Sequence, residues 1–401
     1  MKVFDLHCDT LSELRRAEMR GDGQTFAHNN GHIDLEKLEK GDYMLQCFAA
    51  FVNLADPTPG ADPLVTALEE IDVFKRMMER YSDRIAPVYR PEDIRRNAEA
   101  GKISGMLTIE EAGCCKGSLG VLRRMYPTMK KYVNACRFWC GFGFGKHRYL
   151  WEMPGTLGFG DWVAPDVPQM SQWQGRIKWT GTASLCNTSA LLAKIADILG
   201  ETQDAKHYRA LSEKTADAYC SLLTDGNGKL LEEFQTAYVL PIYLNMFPTQ
   251  QIREKAAANL AALAKRNDWC IGTGFPGTPY ILFALCDNGQ VDAAYHMLLN
   301  TKCPSWLYEV KAGATTIWER WDGLDENGVC PIGDDGTDKM ISYNHYASGA
   351  VGDFLYRRIA GIEPTEAGYK AFRVKPILGG GLTSAAAKVR TPYGCLLYTS
   401  D

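Results

Sequence analysis

The sequence predicts a mixed fold: an N-terminal α/β segment, then a mainly helical body, then short β-strands at the C-terminal end. Three observations lead there. Strand-like and helix-like patterns alternate as far as Ile109. From Pro127 onward, helix-period segments follow one another, separated by turn signals. All nine tryptophans lie at or after Trp139, so the two segments differ in composition as well as in pattern.

In the first segment, Val3–Cys8 reads as a short buried strand. Leu35–Glu39 follows as a helix, Tyr43–Val52 as a strand and Leu64–Tyr81 as an amphipathic helix. Pro91–Ala100 is a further helix leading into the strand Ile103–Ile109. Strands alternating with helices predict a parallel sheet or an α/β barrel. In the second segment, apolar residues recur at helical spacing over Ser184–Leu199, Asp204–Leu223, Gln235–Phe247, Gln251–Lys265, Tyr280–Cys286 and Asp292–Leu299. Pro127-Thr128 is expected to open the first of these helices, and short connections between helices suit an α/α toroid. From Phe372 onward, "FRVKPI" and "AAAKVRTPYG" read as strands.

With 401 residues the chain is long enough for two or more domains. A formal charge of −4 gives no polyanion-binding signal, so nucleic acid is not an expected partner. No apolar run approaches a membrane span, and the start carries no signal-peptide core. Thirteen cysteines without CxxC pairs point to free thiols in a reducing cytoplasm.

Two clusters carry chemistry. Trp318, Glu319, Arg320, Trp321 and Asp322 stand together, with Asn344-His345 after a Gly/Asp-rich loop and Gly160-Asp161-Trp162 upstream. Aromatic faces stack on a pyranose, polar side chains bond its hydroxyls, and a carboxylate handles protons at the anomeric carbon. The plainer alternatives are a helix end packed in a core, with Glu319 paired to an arginine, and a turn with a buried indole at Trp162. The second cluster is His7 and Asp9, alternating at a strand end. That pair either holds a divalent metal or is a histidine satisfied beside a turn aspartate.

Several motifs add a resemblance. "PSWLYEVKAGATTIWERWDG", "YNHYASGAVGDFLYRRIAGIEP" and "GYKAFRVKPILGGGLTSAAAKVRTPYG" resemble the catalytic part of bacterial α-L-rhamnosidases, glycoside hydrolase family 78. "YPTMKKYV", "GFGDWVAP", "QTAYVLPIYLNMFP" and "IGTGFPGTPYILFAL" occur earlier in the same order. The resemblance covers roughly Tyr126 to Gly394. It implies an (α/α)6 barrel over 126–365, without its first helices, and the truncated start of a β-sandwich over 366–401. It also implies inverting hydrolysis of terminal α-L-rhamnosides without a cofactor. Glu319 would be the general base, Trp162 and His345 sugar contacts, and Asp161 and Trp318 groups of the site wall.

Residues 1–125 resemble instead the N-terminal third of membrane (renal) dipeptidases, in "FDLHCDT", "GHIDLEKLEKGDYMLQCFAAFV" and "GMLTIEEAGCCKGSLGVLRRMY". That family is a (β/α)8 barrel with two zinc ions. The resemblance implies His7 and Asp9 as ligands of a partial site, with one of Glu110 and Glu111, of which Glu111 is favoured, as the bridging carboxylate, in a barrel that three strands cannot close. The family's further histidines are missing downstream. The rhamnosidase general-acid segment is missing upstream, where the dipeptidase-like piece sits. The expected chain is therefore chimera-like: a weakly active or inactive rhamnosidase, with a zinc dipeptidase or a residual sugar-binding module as the alternatives.

Overall fold

A computed structural model describes residues 2–52, 62–110, 112–140, 143–152, 158–167, 169–325, 327–330 and 342–400. The chain divides into two compact units, Met1–Tyr126 and Pro127–Asp401.

The first unit holds a four-stranded sheet. Its strands are β1 (Val3–Asp5), β2 (Tyr43–Phe51), β3 (Ile85–Pro87) and β4 (Ile103–Glu110), in the spatial order β1-β2-β4-β3. Every pairing is parallel. Helices α1 (Thr10–Arg20), α2 (Leu35–Lys40), α3 (Pro63–Arg80) and α4 (Pro91–Glu99) make the crossovers. Phe26, Phe48, Phe74 and Leu11 lie in the core between sheet and helices. β2 is buried along nearly its whole length, which explains its nearly continuous apolar run "MLQCFAAF", broken only by the buried Gln46. Phe51 pairs with Glu110, so Glu110 stands at the C-terminal edge of the sheet.

Two elements of this unit went unread in the sequence. β3 has only three residues, too few to show alternation. α1 buries Leu11, Leu14 and Ala17, but charged residues dominate its composition. A third difference lies at Pro127. The helix α5 runs from Leu119 to Cys140 with Pro127 inside it, rather than beginning there.

In the second unit, α6 (Met170–Gly175) precedes α7 (Ile177–Leu199) and α8 (Thr202–Leu223). Gly200, in the left-handed region at φ 80°, ends α7 and turns the chain into α8. α9 (Gln235–Tyr243) is buried through Ile242 and has almost no polar face, as a core helix should. α10 (Gln250–Arg266), α11 (Ile281–Cys286), α12 (Val291–Leu298) and α13 (Trp306–Lys311) follow, then the short α14 (Tyr346–Gly349) and α15 (Val351–Phe354). Tyr219, Tyr238, Phe283, Tyr295, Trp306, Trp321 and Phe354 fill their common core. A π-helical turn, Leu355–Ile359, leads into antiparallel β5 (Ile362–Pro364) and β6 (Phe372–Val374). A second antiparallel pair, β7 (Ala385–Thr391) and β8 (Gly394–Ser400), closes the described chain. No helix among the described residues is long and apolar enough to cross a membrane. None of the thirteen cysteines is in a disulfide.

Candidate functional site

Asp161 organises the second unit's site. It sits in the loop before α6 and has no exposed surface. Its Oδ1 accepts from the Thr236 hydroxyl at 2.8 Å and from the Gly274 N–H at 3.0 Å. Its Oδ2 accepts from Arg176 at 3.1 Å. Arg176 also grips Asp166 at 2.7 and 2.8 Å and lies over the Phe234 ring at 4.2 Å. Complete burial pushes the Asp161 carboxyl up to about 7, against the pull of Thr236, Arg176 and Gly274. Asp161 is therefore a hub that fastens loops together, with no face left for a ligand.

The loop's glycine is obligatory. Gly160 has φ +63°, and a Cβ there would lie 1.9 Å from the Trp173 carbonyl oxygen, which accepts the Asp161 N–H at 2.9 Å. Trp162 follows, half-buried, edge-on to Phe159 at 5.0 Å and to Trp173 at 5.3 Å. Its carbonyl accepts the Phe275 N–H at 2.9 Å. The Phe275 ring lies 4.5 Å from that of His345.

His345 sits at the N-cap of α14. Its Nδ1 accepts the Ala347 N–H at 3.2 Å, so the neutral ring carries its proton on Nε2 and presents a donor there. The His345 N–H bonds the Ile317 carbonyl at 2.9 Å. Two residues on, Glu319 exchanges bonds with Ser342: its N–H donates to the Ser342 carbonyl at 2.8 Å, and its Oε2 accepts the Ser342 N–H at 2.8 Å. Oε1 has no partner among the described residues. A continuous set of contacts thus runs from Asp161-Trp162 through Phe275 and His345 to Glu319.

Trp318 is placed differently. It is 2% exposed, its ring edge-on to Tyr343 at 5.8 Å and its N–H bonded to Glu309 at 3.0 Å. It supports the Glu319 segment from behind and offers no open face for stacking. Two further carboxyls of the second unit are committed to cations. Glu152 bonds Lys178 at 2.7 Å and His147 at 2.8 Å. Burial alone would raise its pKa, but these two partners outweigh it and hold the carboxyl below its usual range. Asp166 is held by Arg176.

The first unit has a separate cluster. β1 ends at Asp5, and His7 donates its backbone N–H to the Asp5 carboxylate at 3.2 Å. Asp9 occupies the N-cap position of α1 without capping it, which leaves its carboxylate 3.3 Å from His7 Nε2. Glu110 lies 3.4 Å from His7 Nδ1. One ligand atom from each of the three lies within 4.8 Å of the others. Asp5, His7 and Asp9 also line a cavity of about 640 Å³ with Asn29, Asn30 and His32. Glu111, the carboxylate favoured by the dipeptidase resemblance, lies outside the described residues. One nitrogen and two carboxylate oxygens at this spacing fit a single divalent cation.

Sequence reasoning missed Arg176, Thr236, Phe275, Ser342 and Glu309. The motifs around Thr236 and Phe275 stood out, but nothing in them announced a contact with Asp161-Trp162.

Comparison with known proteins separates the two segments. Residues 111–359 match the bacterial alpha-L-rhamnosidase 6 hairpin glycosidase domain, and residues 361–399 the bacterial alpha-L-rhamnosidase C-terminal domain. Residues 1–135 match membrane dipeptidase (peptidase family M19). An alpha-L-rhamnosidase of Formosa agariphila is 35% identical over 282 residues, covering 69% of this chain and 29% of that protein. The crystal structure of Streptomyces avermitilis alpha-L-rhamnosidase complexed with L-rhamnose is similar at TM-score 0.60 and 33% identity, covering 71% of this chain and 25% of that one. An uncharacterized dipeptidase of Schizosaccharomyces pombe is 30% identical over 147 residues, 33% of this chain and 35% of that protein. The chain spans under a third of the length of these rhamnosidases. The chimera-like character read from the motifs is thus shown, with the rhamnosidase and dipeptidase matches overlapping over residues 111–135.

Proposed function

We propose, for a chain that belongs to the bacterial alpha-L-rhamnosidase six-hairpin glycosidase family, that its second unit recognises terminal α-L-rhamnose and retains a weak hydrolytic activity. The helices of residues 126–365 are read as part of an (α/α)6 barrel, and β5 to β8 as part of a β-sandwich. The observation that carries the reading is the contact path from Trp162 through Phe275 and His345 to Glu319. It links an aromatic wall, a hydrogen-bond donor and a carboxylate with one oxygen unpartnered among the described residues.

In this reading Glu319 is the general base. Ser342 holds Oε2, so Oε1 is the atom that takes a proton from the attacking water. His345 Nε2–H donates to a sugar hydroxyl, and Trp162 supplies an apolar face. Inversion also needs an acid on the leaving oxygen, with the two carboxyls roughly 6.5–9.5 Å apart. Glu152 and Asp166 are tied to cations, and Asp161 is spent as a hub. These three are committed among the described residues, and a reaction run without a general acid is slower by roughly a hundred- to ten-thousand-fold. Aryl rhamnosides, whose leaving group needs little protonation, are therefore the substrates expected to turn over.

The test is release of nitrophenol from nitrophenyl α-L-rhamnoside. Slow release that disappears in Glu319→Gln supports the proposal. No release and no binding of L-rhamnose would sink the reading. Brisk hydrolysis of natural rhamnosides would show that another carboxyl serves as the acid.

A second reading concerns the first unit, and the His7–Asp9–Glu110 cluster favours it. These three residues would hold one zinc ion at the C-terminal edge of the sheet. A bound zinc would supply Lewis-acid polarisation and a lowered water pKa. One half-site does not make a bridged pair, so dipeptidase turnover is not expected.

A further inference from the structure

We propose that Glu309 is a positioning residue for Glu319, acting through the backbone of Trp318. This rests on the rhamnosidase reading of Glu319. Glu309 lies on α13 and is 1% exposed. Its Oε2 accepts the Trp318 N–H at 3.0 Å, and its Oε1 has no hydrogen-bond partner among the described residues. It lines an apolar cavity of about 430 Å³ with Leu298, Val310, Ile317, Val351 and Leu355. Burial pushes its carboxyl up to about 8, so the neutral acid prevails at neutral pH.

Such a group is a poor choice for stability. A buried carboxyl with an idle oxygen against an apolar wall costs free energy that a leucine or methionine would not. Its geometry points to a different use. α13 is capped by Ser305, whose hydroxyl accepts the Tyr308 N–H at 3.2 Å. It is docked through Trp306 Nε1–H, which donates to the Ser348 carbonyl of α14 at 2.9 Å. α14 is the helix that His345 caps. α13 therefore spans from the His345 helix to the Glu319 segment, and Glu309 is its side-chain contact at the far end. Glu319 has its other tie to Ser342, the residue directly after the undescribed 331–341. Fixing Trp318 from α13 sets the height of Glu319 relative to His345.

The experiment compares Glu309→Gln, which keeps an acceptor, with Glu309→Leu, which removes it; Glu309→Met replaces the latter if it fails to fold. Two quantities are read on the full chain: hydrogen exchange of the Trp318 and Glu319 amides, and kcat and KM on nitrophenyl α-L-rhamnoside. In Glu309→Leu, exchange at Trp318 is expected to rise at least tenfold and kcat to fall about tenfold, with KM within twofold and thermal stability equal or higher. Glu309→Gln is expected to restore both toward wild type. Unchanged exchange in Glu309→Leu, or equal losses in both variants, overturns the proposal. Wild-type hydrolysis no greater than that of Glu319→Gln overturns the rhamnosidase reading instead. Accelerated exchange in Glu309→Leu, reversed in Glu309→Gln, would still uphold the positioning of the Glu319 segment.

Discussion

Glu363 in β5 is a point where acid should loosen the second unit. Its Oε1 accepts from Arg357 at 2.7 Å and from Arg358 at 3.2 Å, and its Oε2 accepts from Arg373. The first two arginines belong to the π-helical turn and the third to β6, so one carboxylate ties the last helical turn to the first hairpin. Burial alone would raise its pKa. The guanidinium groups of Arg357, Arg373 and Arg358 outweigh that and lower it from the ordinary 4.5 to about 2. At ~1.4 kcal/mol per pKa unit, the shift contributes about 3 kcal/mol to folding. The sign follows from which state binds the proton. The unfolded chain takes it up first, so the contribution is complete above about pH 5 and is lost as pH falls from there through about 2. Glu363→Gln removes the charge and should cost about 2–3 kcal/mol at pH 7, since Arg358 keeps Asp287 and Arg357 keeps Asp353. All nine tryptophans lie in the second unit, so urea unfolding followed by tryptophan fluorescence reports that unit alone. The gap between wild type and Glu363→Gln should shrink steadily from pH 5 to pH 2. A gap independent of pH, or none at pH 7, would refute the linkage.

Asp161→Ala should destabilise the same unit by about 3–5 kcal/mol, because it strands the buried Thr236 hydroxyl, the Gly274 N–H and one arm of Arg176; urea midpoints check this, and a loss under 1 kcal/mol would contradict the hub. Zinc analysis after exhaustive dialysis should find well under one ion per chain, with His7→Ala removing what remains; two tightly held ions would revive the dipeptidase reading.

The regular elements were legible where a pattern had room to repeat. Tyr43–Phe51 carries a long, mostly apolar run, Ile103–Glu110 is rich in β-prone residues, and Thr202–Leu223 has six turns over which to show its period. β3 has no such room, and the charges of α1 mask its three-residue apolar spacing. Pro127 misled for a physical reason: proline is best tolerated at a helix start, yet here it sits within one. In the site, Glu319, His345 and Trp162 were legible because their chemistry is unusual in a short span. Arg176, Thr236 and Ser342 are ordinary residues whose importance comes from the partners the fold brings to them. Glu309 was hidden for the opposite reason, as a glutamate on a short amphipathic helix gives no sign that it points inward.

The Asp161 hub has a consequence for how the chain is made. Its carboxylate closes on Thr236, 75 residues later, and on Gly274, 113 residues later. At synthesis rates of about 5–20 residues per second, the last donor follows the acceptor by roughly 6–20 s. Until then Asp161 lacks its Gly274 donor and the Trp162 carbonyl lacks the Phe275 N–H. A growing chain halted before Gly274 would leave that loop fastened from its near side alone, by Arg176, Thr236 and Trp173, a natural place for a chaperone to bind.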